Sequence, residues 1–233
     1  MTRIERVRHI ALAVADIDST LRFYRDMLGV DVASDTTLAG ARQVLLPVGK
    51  SALLLMAADA DGGVDHVCFD AEGALDTPRM LPAGDHFGLR IALAAPSPAA
   101  APLAGNVECI DHLVISSGNS AAVAAHFRDA LGLEIKRTMS RPGTGSHLEF
   151  GKLHDVVLEF GGPPEPHPGE VKAGFWGVVF TVKDLDATVA TCRAAGYDTT
   201  DPRPAVQPGA KIAAVKHGTG VPFALIQYNA IPV

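Results

Sequence analysis

Hydrophobic and polar residues alternate over short segments of this chain, and some of these segments lead into a stretch with helical spacing. The runs HIALAV and HLVISS have the alternation that is typical of a half-buried strand. After the first run, Leu21, Tyr24 and Leu28 share one face of a predicted helix, and Gly29 follows where a left-handed residue can end it. Further strand-like runs come next, RQVLLPV and SALLLMA in the first case and SHLEFG and DVVLEF in the second. The pattern therefore predicts a strand, a helix and three more strands, twice.

The chain contains an internal repeat. Residues 6–32 align without a gap on residues 109–135, so that His9 falls on His112. A weaker similarity relates GVDHVCF to GFWGVVF, and GLRIALA to GVPFALI. Four units are therefore predicted, beginning near residues 6, 63, 109 and 174. A unit of this size must pair with another one to bury the open face of its sheet.

The four units are predicted to form two halves. Residues 1–95 hold the first pair of units, residues 107–233 hold the second pair, and the Pro/Ala-rich segment 96–106 is expected to link them. The second unit is expected to be shortened. Pro78 and Pro82 lie where the fourth unit has the helical segment DLDATVATCRAAGYD.

The composition is that of a globular protein, and the charge makes a small molecule the expected ligand. The formal net charge is −6 and there is no run rich in Lys or Arg, which argues against nucleic acid or an anionic membrane as the partner. The apolar stretch near the N-terminus is too short for a signal sequence or a membrane span, so we expect a cytoplasmic protein. Cys68, Cys109 and Cys192 are far apart and form no CxxC motif, which is typical of reduced structural thiols.

Four stretches of the sequence carry a resemblance to a known superfamily: HIALAVADIDSTLRFYRDMLGV, DHLVISSGNSAAVAAHFRDALGL, VVLEF and GVVFTVKDLDATVATCRAAGYD. They resemble the vicinal oxygen chelate superfamily, which includes glyoxalase I, methylmalonyl-CoA epimerase, extradiol dioxygenases and the bleomycin- and fosfomycin-resistance proteins. The resemblance implies an α+β fold in which four βαβββ-like units pair into two curved mixed sheets. It does not define an activity, because one fold can carry unrelated chemistries.

In members that hold a metal, the resemblance implies one ligand from the first strand of a unit, usually His, and one from its last strand, usually Glu. The first-strand places are His9, His66, His112 and Gly177, and the last-strand places are Leu55 or a neighbour in LLLM, Ala92, Glu159 and Ala224. His66, His112 and Glu159 are the set expected to hold a divalent ion such as Fe, Mn, Ni or Zn, with His9 as a further candidate ligand. Glu159 is also the expected catalytic residue. Pairing of the second unit with the third would unite this set, whereas pairing of consecutive units would divide it, and chain order leaves both open.

Three functions are compatible with these residues. The first expectation is a metal-dependent enzyme that acts on a small oxygenated organic substrate, as in the extradiol dioxygenases, the glyoxalases and the epimerases. The second is a metal-free binding protein of the bleomycin-resistance type, because half of the ligand places carry no metal-binding side chain. The third is an interaction module whose sheets enclose no cavity.

Further side chains are expected around a ligand or a metal. Arg141, His147, Trp176 and Tyr228 are the predicted lining residues. A single histidine on an apolar strand is more often a core residue than a ligand, and an unpaired carboxylate at Glu159 would be costly, so it requires a partner or solvent. Sheets of this kind often leave free edges, and a homodimer is one way to cover them.

Overall fold

The computed structural model describes residues 2–98, 105–216 and 218–229, and each half of the chain forms one sheet. The N-terminal sheet contains β1 (Ile4–Val14), β2 (Ser34–Leu38), β3 (Ala41–Val48), β4 (Ser51–Ala57), β5 (Gly63–Ala71), β6 (Arg79–Met80) and β7 (Ile91–Ala94). The C-terminal sheet contains β8 (Val107–Ser117), β9 (Ile135–Ser140), β10 (His147–Leu153), β11 (Val156–Gly162), β12 (Ala173–Val182), β13 (Arg203–Pro204), β14 (Ala210–Val215) and β15 (Phe223–Tyr228). The predicted fold class, paired units in two curved mixed sheets, is confirmed.

Consecutive units pair within each sheet. The strand order is β2-β3-β4-β1-β5-β7-β6 in the N-terminal sheet and β13-β14-β15-β12-β8-β11-β10-β9 in the C-terminal sheet. The antiparallel pairs β1–β5 and β8–β12, each formed by the first strands of two units, lie at the centre of the two sheets. The second unit is therefore not paired with the third.

Each long helix begins at a polar cap that the sequence provides. Helix α1 (Ile17–Arg22) continues as a π-helical turn (Phe23–Met27), α2 is Ser120–Leu131 and α3 is Leu185–Ala194. Asp16, Asn119 and Asp184 each accept a hydrogen bond from a backbone N–H of the first turn, at 2.9–3.1 Å. The first helix and α2 end near the equivalent residues Gly29 and Gly132, which have φ of 67° and 66°.

The second unit has no α-helix among its described residues. Between β5 and β7 it holds β6 and a short 3₁₀ turn, Ala83–His86. The predicted linker, residues 96–106, lies largely outside the described part of the chain, since residues 99–104 are not described. The longest described helix, α2, has 12 residues, and none of the described helices is both long and apolar enough to cross a bilayer.

One hydrophobic core joins the two halves. Phe23, from the helix of the first unit, packs edge-on against Phe223 of the C-terminal sheet, with ring centroids 5.3 Å apart. Phe127 of α2 lies 6.4 Å from Phe69 of the N-terminal sheet. All four rings are buried, so each helix stabilises the sheet of the other half as well as its own.

Candidate functional site in the C-terminal half

One register relates the first and the last strand in every unit. In the third unit, Glu159 lies opposite Val114, two residues after His112. The residues that lie at this position in the other units are Leu54, Ala92 and Ala224. The last-strand place of the first unit is therefore Leu54, a neighbour of the predicted Leu55, whose own side chain is completely buried.

The N-terminal sheet brings together the two predicted histidines of the first half. The rings of His9 and His66 are in edge contact, with centroids 5.6 Å apart, and His66 Nδ1 lies 2.7 Å from Asp65 Oδ2. Burial, reinforced by the charge of His66, lowers the pKa of His9 to about 4. The other two ligand places, Leu54 and Ala92, carry no donor atom.

The C-terminal sheet carries a large cavity over the face that holds His112 and Glu159. The cavity has two adjoining lobes, of about 650 and about 570 Å³. Six residues line both lobes and so form their junction: Arg141, Leu148, Glu159, Val179, Arg203 and Ile212. We call this cavity the C-terminal cup. The larger lobe extends towards Trp176 and Ala224, and the smaller one towards His112 and Tyr228.

A β-bulge places a carboxylate beside His112. On β8 the register moves from Ile110 to His112 while the partner strand advances by one residue, so Asp111 is the extra residue. Its Oδ1 contacts His112 Nδ1 and accepts a hydrogen bond from the Tyr228 hydroxyl at 3.1 Å, and its Oδ2 accepts one from Thr181 at 2.8 Å. Every oxygen of this buried carboxylate is therefore satisfied.

The bulge carboxylate remains charged. Desolvation raises the pKa of Asp111, but the hydrogen bonds from His112, Thr181 and Tyr228 outweigh it, and the resulting pKa is below the ordinary value. Burial and the negative charge of Asp111 raise the pKa of Tyr228. Tyr228 thus keeps its proton, and its hydroxyl acts as the donor to Asp111.

Glu159 is paired with an arginine rather than left alone in its strand. Its side chain is only 12% exposed, and its Oε1 accepts a hydrogen bond from the Arg141 guanidinium at 3.1 Å. Arg141 belongs to the turn between β9 and β10, which is closed by hydrogen bonds between the backbones of Arg141 and Ser146 and of Gly145 and Arg141. The hydrogen bonds of the turn therefore hold Arg141 in position beside the carboxylate of Glu159.

Two further arginines line the cup. Arg137 lies on β9 and lines the smaller lobe, and Arg203 lies on β13 and lines both lobes. Neither side chain forms an ion pair with another residue of the described ranges. The cup is therefore richer in positive than in negative side chains.

Comparison with known proteins agrees with this architecture. The model of the Glyoxalase/Bleomycin resistance protein/Dioxygenase superfamily matches residues 6–93 and 109–224. The chain belongs to this superfamily. The family match confirms the resemblance to vicinal oxygen chelate proteins, and its two matched segments are the two halves of the repeat. No curated protein matches the sequence significantly.

Several solved structures have the same fold over nearly the whole chain. A triple mutant of 4-hydroxymandelate synthase from Streptomyces coelicolor matches with a TM-score of 0.71 at 16% identity, covering 99% of this chain and 94% of that one. The 2,3-dioxygenase LapB from Pseudomonas sp. KL28 matches with a TM-score of 0.67 at 16% identity, covering 100% and 95%. The halotolerant catechol dioxygenase BphC matches with a TM-score of 0.66 at 11% identity, covering 97% and 87%. At these identities the likeness establishes the fold alone.

The side chains of this superfamily member do not fit the three-ligand metal site that the resemblance implies. His66 lies in the N-terminal sheet, whereas His112 and Glu159 lie in the other one, so the expected set is not assembled. In the fourth unit, a Cβ added to Gly177 would lie 2.7 Å from the backbone oxygen of Pro222, which leaves no room for a side chain. No group of three or more His, Cys, Asp or Glu side chains within the described ranges is arranged to hold an ion.

Three of the four predicted lining residues lie at the cup. Arg141 lines both lobes, Trp176 lines the larger one and Tyr228 lines the smaller one. His147 does not line the cup. Its Nε2 lies 2.9 Å from Glu149 Oε1, and because side chains alternate along β10, Leu148 faces the cavity while His147 faces the opposite side.

Sequence reasoning did not identify Asp111, Arg137 or Arg203. For Asp111 a signal exists, because two polar residues in succession, Asp111 and His112, interrupt the alternation of an otherwise apolar strand and can indicate a bulge. For Arg203 no local signal exists. It lies on a two-residue edge strand, β13, within a Pro-rich segment, and its pairing with β14 in the finished sheet brings it to the cup.

Proposed function

We propose that this protein binds a small organic molecule in the C-terminal cup, and that its own side chains, rather than a metal held by three of them, make the contacts. The observation that carries the proposal is the cup itself. Its lobes, of about 650 and about 570 Å³, are within the roughly 300–1,000 Å³ of small-molecule sites. They lie over the face that holds His112 and Glu159.

The two lobes offer different chemistry to a ligand. The larger one has an aliphatic and aromatic wall that includes Val114, Trp176 and Ala224, which suits the apolar body of an organic molecule. Trp176 is 59% exposed, and a large exposed aromatic side chain beside a cavity is typical of a ligand contact. The smaller lobe offers the polar groups of Gln207 and Tyr228 to an oxygenated substituent.

A thermal-shift screen in the presence of EDTA tests the proposal. We expect compounds with an apolar body and an oxygenated group to raise the melting temperature of the protein, because a ligand that binds only the folded state stabilises it. Ala224→Phe, which fills the larger lobe, should abolish the shift. Ala121→Phe, on the exposed face of α2, is the matched control and should leave the shift unchanged. Shifts that survive Ala224→Phe would contradict the proposal.

A metal-dependent enzyme is the second candidate function. The observation that favours it is the register of the third unit, in which His112 and Glu159 occupy the first-strand and last-strand places on one face. Metal analysis of protein purified without chelators distinguishes the two functions. Our proposal predicts no stoichiometric metal, whereas a stoichiometric metal that is lost in both His112→Gln and Glu159→Gln would establish the second function instead.

A further inference from the structure

Two arginines reach the same part of the cup from opposite edges of the C-terminal sheet. Arg203 lies on β13, one edge strand, and Arg141 directly follows β9, the other edge strand. Although six strands lie between these edges in the order of the sheet, both residues line both lobes. The curvature of the sheet therefore brings the two arginines to the junction of the lobes.

Both guanidinium groups have donors to spare. A guanidinium carries five N–H donors, and the Arg141 side chain makes one hydrogen bond within the described ranges, to Glu159. The Arg203 side chain makes none there. Since these groups cannot lose their proton, unused donors at a cavity wall are matched only by water or by an acceptor on a ligand.

The charge of the cup is opposite to that of the whole protein. The formal net charge of the chain is −6, yet Arg137, Arg141 and Arg203 line the cup together with one carboxylate, that of Glu159, while the carboxylate of Asp111 lies behind the wall beside His112. Asp111 is already satisfied by its hydrogen bonds, and Glu159 neutralises only Arg141. An anionic group is therefore attracted into the cup, although the three arginines are exposed and solvent moderates the attraction.

We infer that the ligand of the cup is a carboxylate, held between Arg141 and Arg203 at the junction of the lobes, with its apolar body against Trp176 in the larger lobe. Planar guanidinium groups bind carboxylates through two parallel hydrogen bonds, which fixes orientation as well as charge. This inference rests on the proposed binding function of the same cup. It gives Glu159 the role of a competitor that occupies one donor of Arg141.

Binding of 2-naphthoate and of its neutral isostere 2-naphthamide, measured by calorimetry or ligand-detected NMR, tests the inference. We expect 2-naphthoate to bind at least about tenfold more tightly than 2-naphthamide. Arg141→Gln and Arg203→Gln should each weaken 2-naphthoate by about tenfold, the effect of losing hydrogen bonds to a charged group, and leave 2-naphthamide unchanged. Arg128→Gln removes an exposed arginine that pairs with its neighbour Asp129 on α2, and it should have no effect.

Glu159→Gln gives the sharpest arm of this test. Removal of the competing charge should tighten 2-naphthoate binding by roughly two- to fivefold, the size of a partly exposed charge interaction. The double variant Arg141→Gln/Glu159→Gln keeps the charge balance and should bind 2-naphthoate more tightly than Arg141→Gln alone. A near-UV circular dichroism spectrum like that of the wild type shows that a variant is folded.

The outcomes separate this inference from the proposed function. If 2-naphthoate and 2-naphthamide bind equally well and Ala224→Phe abolishes both, Arg141 and Arg203 do not select a carboxylate, and only the proposed function stands. Binding of both probes that survives Ala224→Phe would overturn both. Failure of 2-naphthoate to bind, while other compounds raise the melting temperature of the wild type and not of Ala224→Phe, would overturn the inference alone.

Discussion

His9, the half-buried histidine of the N-terminal sheet, should make the stability of the protein fall at mildly acidic pH. Burial, together with the charges of His66 and Arg8, lowers the pKa of His9 from 6.5 to about 4 in the folded protein. In this range the unfolded chain binds a proton that the folded chain does not, so the free energy of unfolding decreases as the pH falls through 6.5 towards 4. The stabilisation is fully present above pH 6.5.

The size of the effect follows from the two pKa values. Linkage between 6.5 and about 4 gives a loss of about 2 kcal/mol between pH 7.5 and pH 5. The assay is urea unfolding at both pH values for the wild type and for His9→Gln, which cannot titrate. The difference in unfolding free energy between the two pH values should be about 2 kcal/mol smaller in the variant.

This comparison does not depend on how much the substitution itself destabilises the fold, since each protein is measured against itself. His154→Asn, which removes an exposed histidine from a turn, is the matched control. If the wild type and His9→Gln lose the same unfolding free energy between the two pH values, the pKa of His9 is not lowered in the folded protein and the reasoning is wrong.

Two further predictions concern the C-terminal sheet. Gly177→Ala should cost about 1–3 kcal/mol of unfolding free energy in urea titrations, because its Cβ would overlap the backbone of Pro222. Gly174→Ala, on the same strand, meets no atom within 4 Å and should be tolerated. Equal effects of the two substitutions would show that there is room for a side chain at Gly177. Thr181→Val should cost about 1–3 kcal/mol in the same assay, because it removes a donor from the buried carboxylate of Asp111, and an unchanged stability would show that this hydrogen bond contributes little.

The repeat was predictable because the features that define it depend on residues close together in the sequence. The alignment of His9 with His112 predicts equivalent strands, and the left-handed glycine after the first helix recurs at the matching position in the third unit. These features depend on neighbours along the chain. The pairing of the units was not predictable, because it depends on which first strands meet at the centre of a sheet.

Which side chains line the cup also depends on contacts between residues far apart in the sequence, so the sequence alone does not determine it. The sequence indicates that Glu159 needs a partner, but its partner, Arg141, approaches from a turn whose position is set by the β9–β10 pairing. His147 was expected at the cup because it follows a flexible loop. The phase of alternation along β10 decides its direction instead, and a shift of one residue would reverse it.

Both halves share a β-bulge at the equivalent position, but its side chains make different contacts in the two sheets. Arg8 on β1 and Asp111 on β8 are the extra residues of equivalent bulges. In the N-terminal sheet, Arg8 pairs with Asp70 at 2.6 Å; in the C-terminal sheet, Thr181 takes the place of Asp70 and donates a hydrogen bond to Asp111. A hydroxyl does not neutralise the carboxylate, so Asp111 keeps its charge and an oxygen for His112 at the cup. With the backbone retained, a different pair of facing side chains thus forms an internal ion pair in one sheet and a carboxylate that contacts His112, beside the C-terminal cup, in the other.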